Sequence, residues 1–206
     1  MQKIFTLALA LAPALTFAQF QELVIEEVPN NGLVKGQTWR VYALMENPGD
    51  VIDAVFGEEN APLRLHAENG FYQHPKGGAL ASEVQRYDVE QDRSLRYDTW
   101  FTIGKADNYL NKVSSFPPDL SFDAFEAGGD FETNNGAWFV VPTEFQAIAP
   151  PDRKILLMQL TADGPIEGVI NLHGREAQTF DEAGNIVGSV TPIQVEGVKL
   201  ELPPRN

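Results

Sequence analysis

Short β-type segments that end in turn residues run through most of this chain, and they restrict the folds open to it. Glu22–Val28 stops at Pro29-Asn30-Asn31-Gly32, and Thr38–Met45 stops before Asn47-Pro48-Gly49-Asp50. Side chains alternate within Thr38–Met45, which is typical of a strand with one buried face. One face carries Trp39, Val41, Ala43 and Met45, and the other carries Arg40, Tyr42 and Leu44.

The same pattern continues to the end of the chain and predicts the fold class. No long window has a convincing helical period, and Ala79–Gln91 is the nearest to one. With 17 Gly and 14 Pro available for turns, we expect an all-β fold, an antiparallel β-sandwich with a jelly-roll-like arrangement of about ten strands. The later predicted strands are Val51–Phe56, Pro62–Ala67, Arg96–Gly104, Leu120–Phe125, Ala137–Val141, Lys154–Thr161, Ile166–Leu172 and Thr191–Leu202.

The N-terminus has the layout of a secretory signal peptide. Lys3 precedes the apolar run Ile4–Leu15, and Thr16-Phe17-Ala18 supplies small residues before a cut ahead of Gln19. The run is shorter than a membrane-spanning helix requires. We therefore predict a signal peptide over residues 1–18, a single β-sandwich domain over residues 19–206, and a protein that is secreted or held at the cell surface.

Composition excludes several classes of function. The chain has no cysteine, so disulfides, thiolate metal sites and thiol catalysis are excluded. Its formal net charge of −14 disfavours nucleic acid and anionic membranes as partners, because both are bound through Lys and Arg. No second apolar segment approaches the length of a membrane span, so we expect no membrane insertion of the mature chain. Nothing in the sequence indicates an oligomeric state.

Aromatic residues and one histidine in loops are the candidate ligand-binding residues. Phe71 and Tyr72 follow Gly70, His74 precedes Pro75, and Tyr109 lies in the irregular region Ala106–Asn135. The three aromatic residues could stack on a sugar or serve as packed loop anchors, and the alternative for His74 is a plain exposed histidine. The three tryptophans fall in predicted strands and are expected in the core: Trp39, Trp100 and Trp138.

Alternating acids make calcium the candidate cofactor. Asp88, Glu90 and Asp92 would place three carboxylates on one face of an extended segment. Oxygen ligands of this kind suit Ca²⁺ in a cysteine-free exported domain. The alternative is a solvated acidic surface without a bound ion. His66 and His74 could meet across the Asn69-Gly70 turn, but neither their spacing nor their flanks match a zinc signature.

Catalytic motifs are not found in the sequence. No serine lies in a Gly-x-Ser-x-Gly elbow, and 29 acidic residues offer too many carboxylate pairs to single one out. We therefore predict no catalytic residue. A secreted hydrolase or lyase acting on polysaccharide or peptide is the alternative function, and two acids near a His or Arg on a sheet face would favour it.

Five segments of the chain carry a resemblance to a known family. In chain order they are GLVKGQTWRVYALMENPGDVIDAVFGEENAPLRL, GFYQHPKGG, LRYDTWFTIG, GGDFETNNGAWFVVP and KILLMQLTADGPIEGVINLHGRE. Over about Leu23–Glu176, most of the chain, this pattern resembles an uncharacterised β-module of secreted and cell-surface proteins of marine bacteria. In that family the module often lies beside adhesion-like or hydrolytic domains, and no catalytic residues are established for it. The resemblance implies an extracellular β-module and identifies no ligand. The predicted export, the acidity, the all-β pattern and the lack of catalytic motifs favour a structural, adhesive or glycan-binding role, with an extracellular glycan or surface protein as partner.

Overall fold

Two antiparallel sheets of four and seven strands pack face to face, so the all-β sandwich expected from the sequence is confirmed. The computed structural model describes residues 20–183, 186–187 and 190–203. The predicted signal peptide, residues 1–18, lies outside them. The strands are β1 Phe20–Val28, β2 Gln37–Met45, β3 Val51–Gly57, β4 Leu63–Ala67, β5 Trp100–Phe101, β6 Ser114–Phe116, β7 Phe131–Thr133, β8 Gly136–Phe139, β9 Lys154–Ala162, β10 Ile166–Arg175, β11 Thr179–Phe180, β12 Ile186–Val187 and β13 Pro192–Leu202.

The helical elements are short. Two are α-helices, α1 Arg86–Gln91 and α2 Asp123–Glu126. Three are 3₁₀ helices, at Ala81–Glu83, Arg93–Tyr97 and Phe145–Ala147. Among the helices of the described ranges, none combines the length and the apolar composition that crossing a bilayer demands.

The smaller sheet has the strand order β1-β2-β9-β5, and its two faces differ as the alternation predicts. Val41, Ala43 and Met45 of β2 are fully buried against the larger sheet. Arg40 and Tyr42, which alternate with them, lie on the opposite face. That opposite face of the smaller sheet is where the site described below is built.

The larger sheet has β10 at its centre. β13 pairs along the full length of one edge of β10, and β4 and β3 lie end to end along the other edge. Asn171, which is fully buried, spans the interruption between β3 and β4. Its Nδ2 donates to the Phe56 and Ala61 carbonyls at 2.9 and 2.7 Å, and its Oδ1 accepts from the Gly197 N–H at 2.8 Å. One side chain thus satisfies the backbone groups that the interruption leaves unpaired.

An aromatic stack occupies the core between the sheets. Phe101 stacks on Trp138 with ring centroids 4.2 Å apart and on Phe125 at 4.5 Å. The indole Nε1–H of Trp138 donates to the Thr102 carbonyl at 3.1 Å, so this buried donor is satisfied. Trp138 and Trp100 are buried, as expected, whereas Trp39 is only partly buried at the margin of the core.

Residues 80–99 and 104–109, which flank β5 and are hereafter called the covering segment, pack on the outer face of the smaller sheet. They form a second apolar cluster in which Ala81, Val84 and Leu95 pack against Trp100 of β5 and Leu156 of β9. Of the predicted strand Arg96–Gly104 only Trp100–Phe101 is confirmed as a strand, because the chain forms a 3₁₀ helix up to Tyr97 and β5 ends at Phe101. Asp92 caps that helix by accepting from the Ser94 N–H at 3.0 Å, and a strand would lose this cap.

The predicted strand Leu120–Phe125 is also wrong. The chain turns into α2 there, and Phe125 is buried in the aromatic stack. Ser121 supports the helix start by accepting from the Asp123 N–H at 3.2 Å. The contact that fixes this segment is tertiary, since Phe125 packs on Phe71 and Phe101 from distant parts of the chain.

Candidate functional site

A cleft of about 520 Å³ lies between the covering segment and the outer face of the smaller sheet. We call it the arginine cleft. Its walls combine apolar side chains with three arginines and two acids, so it differs in charge from the acidic chain as a whole. The lining residues are Val28, Arg40, Val84, Arg86, Val89, Glu90, Leu95, Arg96, Tyr97, Trp100, Ala106 and Asp107.

One cross-strand row forms the floor of this cleft. Arg40 of β2 lies directly opposite Gln159 of β9, and Gln159 lies opposite Trp100 of β5. Directly opposed residues share a face of the sheet, so the three side chains are neighbours. The guanidinium carbon of Arg40 is 5.9 Å from the centre of the Trp100 ring, within the range of a cation–π contact.

Gln159 is fully buried and holds the two arginines of the cleft floor. Its Oε1 accepts from Arg40 Nε at 3.1 Å, and its Nε2 donates to the Arg96 carbonyl at 2.8 Å. A second bond from Nε2 reaches the Asp98 carbonyl, also at 2.8 Å. Because all of these polar atoms are hydrogen-bonded, the Gln159 amide has a fixed orientation and holds the Nε side of the Arg40 guanidinium in place.

The arginines of the cleft differ in their partners. Arg86 is paired with Asp107, with Nε and Oδ2 2.6 Å apart. In the described part of the chain, neither Arg40 nor Arg96 has a carboxylate within 4.0 Å. Glu26 lies opposite Arg40 in β1, but its carboxylate is bound by Lys154. Arg40 and Arg96 therefore both line the cleft without a carboxylate partner.

Tyr109 lies at the rim of the arginine cleft. Its ring is 58 % exposed, and the guanidinium carbon of Arg86 sits 4.6 Å from the ring centre. The backbone N–H of Tyr109 donates to Asp107 at 2.8 Å, which ties the rim to the Arg86–Asp107 pair. Of the four loop residues predicted to bind a ligand, Tyr109 is the one that the fold brings to this cleft.

The other three predicted ligand-binding residues are placed elsewhere. Phe71 is 5 % exposed and packs on Phe125 in the core, so its ring is not available to a ligand. Tyr72 is half-buried and its N–H donates to the Thr161 carbonyl at 2.7 Å. The His74 side chain is 7 % exposed and contacts Asp92, Nε2 to Oδ2, at 3.2 Å. Phe71 and Tyr72 anchor the loop, which is the alternative role considered for them from the sequence, whereas the exposed histidine considered for position 74 is wrong because the His74 side chain is buried.

Asp98 is a buried carboxylate on which the His74 loop closes. It accepts from the His74 N–H at 2.7 Å and from the Gly78 N–H at 3.3 Å. Gly77 permits this approach, since a Cβ there would lie 1.7 Å from Asp98 Oδ2. Burial raises the pKa of Asp98 to about 6, although the N–H groups of His74 and Gly78 act in the opposite direction. Asp98 thus contacts the His74 loop through its carboxylate and the Gln159 side chain through its backbone carbonyl.

The three acids predicted to bind calcium do not converge. Asp88 and Glu90 lie on α1, so the extended segment that would have aligned them is absent. Asp88 pairs with Lys76 at 3.4 Å, while Asp92 accepts from the Ser94 hydroxyl at 2.6 Å. The Ser94 hydrogen bonds lower the pKa of Asp92 to about 2. Within the described ranges, no group of three or more His, Asp and Glu residues is arranged to hold a metal ion.

Each histidine pairs with an aspartate. His66 Nδ1 is 2.8 Å from Asp130, and His173 Nδ1 is 2.7 Å from the buried Asp53. No serine or threonine hydroxyl contacts a histidine in the parts of the chain that the structure describes, so no nucleophilic triad is assembled there. His66 and His74 lie apart, each with its own aspartate.

A second, shallower groove of about 340 Å³ lies on the outer face of the larger sheet. His66 lies opposite Glu167, and Glu167 lies opposite Glu201, so these three side chains form a row across β4, β10 and β13. All three are exposed. This is the combination of two acids with a histidine on a sheet face that would favour an enzyme.

Sequence reasoning missed Arg40, Arg96 and Gln159 as functional residues. The available signal was the alternation that placed Arg40 on the face opposite Val41 and Met45. Arg96 and Gln159 gave no signal, because only the pairing of β2 with β9 and β5 brings them together. Comparison with known proteins finds no matching family model, no matching curated protein and no matching solved structure.

Proposed function

We propose that this protein is a secreted, non-catalytic extracellular or cell-surface module with an adhesive or structural role, and that it binds glycan in the arginine cleft. The observation that carries the proposal is the cross-strand row Arg40–Gln159–Trp100, in which a buried amide fixes a cationic donor beside an indole. Donors fixed before binding lose little conformational entropy when a ligand arrives.

The cleft has the chemical character that a sugar requires. Val28, Val89 and Ala106 supply an apolar wall, and guanidinium groups supply several hydrogen-bond donors. A sugar ring presents both an apolar face and hydroxyl oxygens, so this mixture matches it. Pockets that bind small ligands are commonly apolar with a few placed polar groups. Tyr109 and Arg86 at the rim extend the contact surface toward solvent.

The proposal includes a role for calcium in assisting glycan binding. Of the three predicted calcium ligands, Glu90 alone lines the cleft. Its carboxylate could share an ion with an acidic ligand even though the chain offers no complete ion site among the described residues. Glycan binding is therefore to be measured both with calcium and with a chelator.

The test is co-sedimentation of the protein with insoluble polysaccharides and with cell envelopes. Ala106→Trp would fill the cleft, and Ala183→Trp adds the same side chain at an exposed position outside it. We expect retention of the native protein and of Ala183→Trp, and loss of retention by Ala106→Trp. A thermal melt of each variant checks folding. Competition by a soluble oligosaccharide of the retained polymer checks specificity without a variant.

Two results would overturn the proposal. Equal retention of Ala106→Trp and the native protein would place binding outside the arginine cleft. Absence of retention on every polysaccharide and envelope would exclude glycan binding and leave a structural role between protein subunits.

A hydrolase or lyase is the second candidate function, and the row His66–Glu167–Glu201 favours it. Directly opposed residues on a sheet have Cβ atoms about 4.5–5.5 Å apart, which brings two carboxyl groups into the range used by retaining glycosidases. Release of reducing ends or unsaturated sugars from a polysaccharide would support this function. The double variant Glu167→Gln, Glu201→Gln should abolish that release, and unchanged release would exclude this row.

A further inference from the structure

We propose that the ligand of the arginine cleft carries an oxyanion, a carboxylate or a sulfate ester, which binds between Arg40 and Arg96. This inference rests on the proposed function and narrows it to acidic glycans. Both arginines line the cleft, and the Gln159 amide accepts from the Arg40 guanidinium while it donates to the backbone carbonyl of Arg96, so the two residues lie at the same amide.

The surroundings of Arg40, and not merely its lack of a carboxylate, support an anion at this place. Lys35, Arg64, Lys76 and Lys154 each pair with a carboxylate at the surface, but the exposed Arg93, Lys112 and Lys199 have no such partner among the described residues. Arg40 differs from those exposed cations because it is half-buried and its Nε–H is held by the buried Gln159. Arg40 and Arg96 have no such partner in the described part of the chain, although the cleft contains Glu90 and Asp107. Asp107 is already bound by Arg86.

The unused donors have the geometry that an oxyanion requires. Gln159 occupies only the Nε–H of Arg40, so the four N–H groups of its Nη atoms have no acceptor among the described residues. The planar guanidinium fork donates two parallel bonds to a carboxylate or sulfate. A neutral hydroxyl would leave most of these donors unsatisfied.

Glu90 is expected to weaken anion binding, in contrast to the two arginines. Its carboxylate lines the same cleft and has no cation partner among the described residues, so it repels an incoming anion. Because the side chain is exposed, solvent screens this repulsion. Glu90→Gln is therefore expected to strengthen anion binding by about two- to fivefold, an effect in the range measured for exposed charge pairs.

The test compares glycans that differ only in charge. Alginate and its carboxyl-reduced form isolate a carboxylate, and carrageenan and its desulfated form isolate a sulfate ester. Inorganic sulfate and free galacturonate are the small-anion probes. The variants are Arg40→Gln and Arg96→Gln, with Arg93→Gln as the matched control. Arg93 is exposed and lies in the same 3₁₀ helix as Arg96 without lining the cleft.

We expect the charged glycan to bind and its neutral counterpart to bind much more weakly. Arg40→Gln and Arg96→Gln should each weaken binding by about 10- to 100-fold, the range for a lost charge-assisted hydrogen bond. Arg93→Gln should leave binding unchanged. The carboxylate and sulfate arms then identify which oxyanion is preferred.

The experiment distinguishes a failure of the oxyanion site from a failure of the proposed glycan-binding function. Equal binding of charged and neutral glycans, unaffected by Arg40→Gln, would overturn the oxyanion site and leave glycan binding intact. Arg40-dependent binding of inorganic sulfate without binding of any glycan would support the oxyanion site and overturn the glycan function. Binding that Arg93→Gln weakens as much as Arg40→Gln would show a general charge effect and overturn the site.

Discussion

The outer faces of the two sheets differ in what covers them. On the smaller sheet, the covering segment buries Leu156 and Trp100 and leaves the arginine cleft beside them. On the larger sheet, no described segment is inserted in the same way, and Phe116 remains 58 % exposed beside half-buried Phe139. The open face carries the shallower groove of about 340 Å³, whereas the covering segment adds walls to the cleft of about 520 Å³ on the other face. The difference shows how an insertion between two strands turns one sheet face into a candidate site.

The covering segment is attached by buried polar groups as much as by apolar area. Its second cluster contains five buried apolar residues, against the much larger cluster between the sheets. Gln159 and Asp98 add hydrogen bonds that fix the segment at defined positions. Such networks specify geometry strongly, because each unsatisfied buried group is costly. The predictions that follow test this contrast between the core and the covered face.

Removal of a core tryptophan should have the largest effect. Trp138→Ala is expected to lower the free energy of unfolding by about 3–5 kcal/mol, since it deletes a ring stacked on Phe101 and leaves the Thr102 carbonyl without its donor. Trp100→Ala should cost a similar amount within the second cluster. Trp39→Ala should cost less than either, because Trp39 is only partly buried. Urea denaturation measures all three.

Hydrogen exchange should distinguish the effects of replacing the two buried tryptophans, Trp100 and Trp138. Trp100→Ala should reduce amide protection in the covering segment while β3 and β10 stay protected, because the second cluster is local. Trp138→Ala should reduce protection in both sheets. Equal loss of protection throughout the Trp100→Ala protein would show that the covering segment and the sandwich are one cooperative unit.

The stability of the covered face should depend on pH through Asp98. Burial raises the pKa of Asp98 from 3.8 to about 6, so between these pH values the folded protein holds a proton that the unfolded chain has released. Stability from this group is therefore highest at low pH and falls as pH rises through 6, by roughly 3 kcal/mol. Unfolding free energies measured from pH 4 to pH 7 should show this loss.

Asp98→Asn supplies the comparison for the pH experiment. The variant cannot ionise at this position. Subtracting its unfolding free energy from that of the native protein at each pH should therefore cancel the pH dependence that other groups contribute to both proteins. Asp92→Asn is the matched control, because the lowered pKa of Asp92 confines its effect to pH below 4. An identical slope in native and Asp98→Asn proteins between pH 4 and pH 7 would contradict an Asp98 pKa near 6.

Neutralising the acids of α1 and its C-terminal end should have the smallest effect. In the triple variant Asp88→Asn, Glu90→Gln, Asp92→Asn, the thermal midpoint should respond to calcium as the native protein does, because the three carboxylates do not share a face. Melts in millimolar calcium and in a chelator measure this. A stabilisation by calcium that the triple variant loses would identify these acids as an ion site after all.

The strands that the sequence predicted well are those with a strong local signal. β2 alternates polar and apolar residues and ends in a turn of Asn, Pro and Gly, so its face and its end were both predictable. The prediction at Leu120–Phe125 was wrong and that at Arg96–Gly104 was confirmed only for Trp100–Phe101, since the aromatic residues of these segments make contacts with distant residues. Phe101 and Phe125, from these two segments, meet at 4.5 Å in the core. Composition indicated burial there but not backbone conformation.

The candidate site was less predictable than the fold. Tyr109 was identified from its place in an irregular loop, whereas Phe71, a similar loop aromatic, is part of the core. Local sequence does not distinguish these two cases, because exposure depends on what packs above each ring. Arg96 and Gln159 are 63 residues apart in the chain and meet through one hydrogen bond. No pattern within a short window encodes such a contact.

The sequence by itself determined the class of the fold, the face of β2 that points inward and the acidic character of the surface. These properties follow from local periodicity, turn chemistry and composition, which act over a few residues or over the whole chain. Only the tertiary structure decided which arginines lack a carboxylate and which aromatic rings reach solvent. Pairing β2, β9 and β5 places Arg40, Gln159 and Trp100 side by side, and strand register is settled by long-range packing.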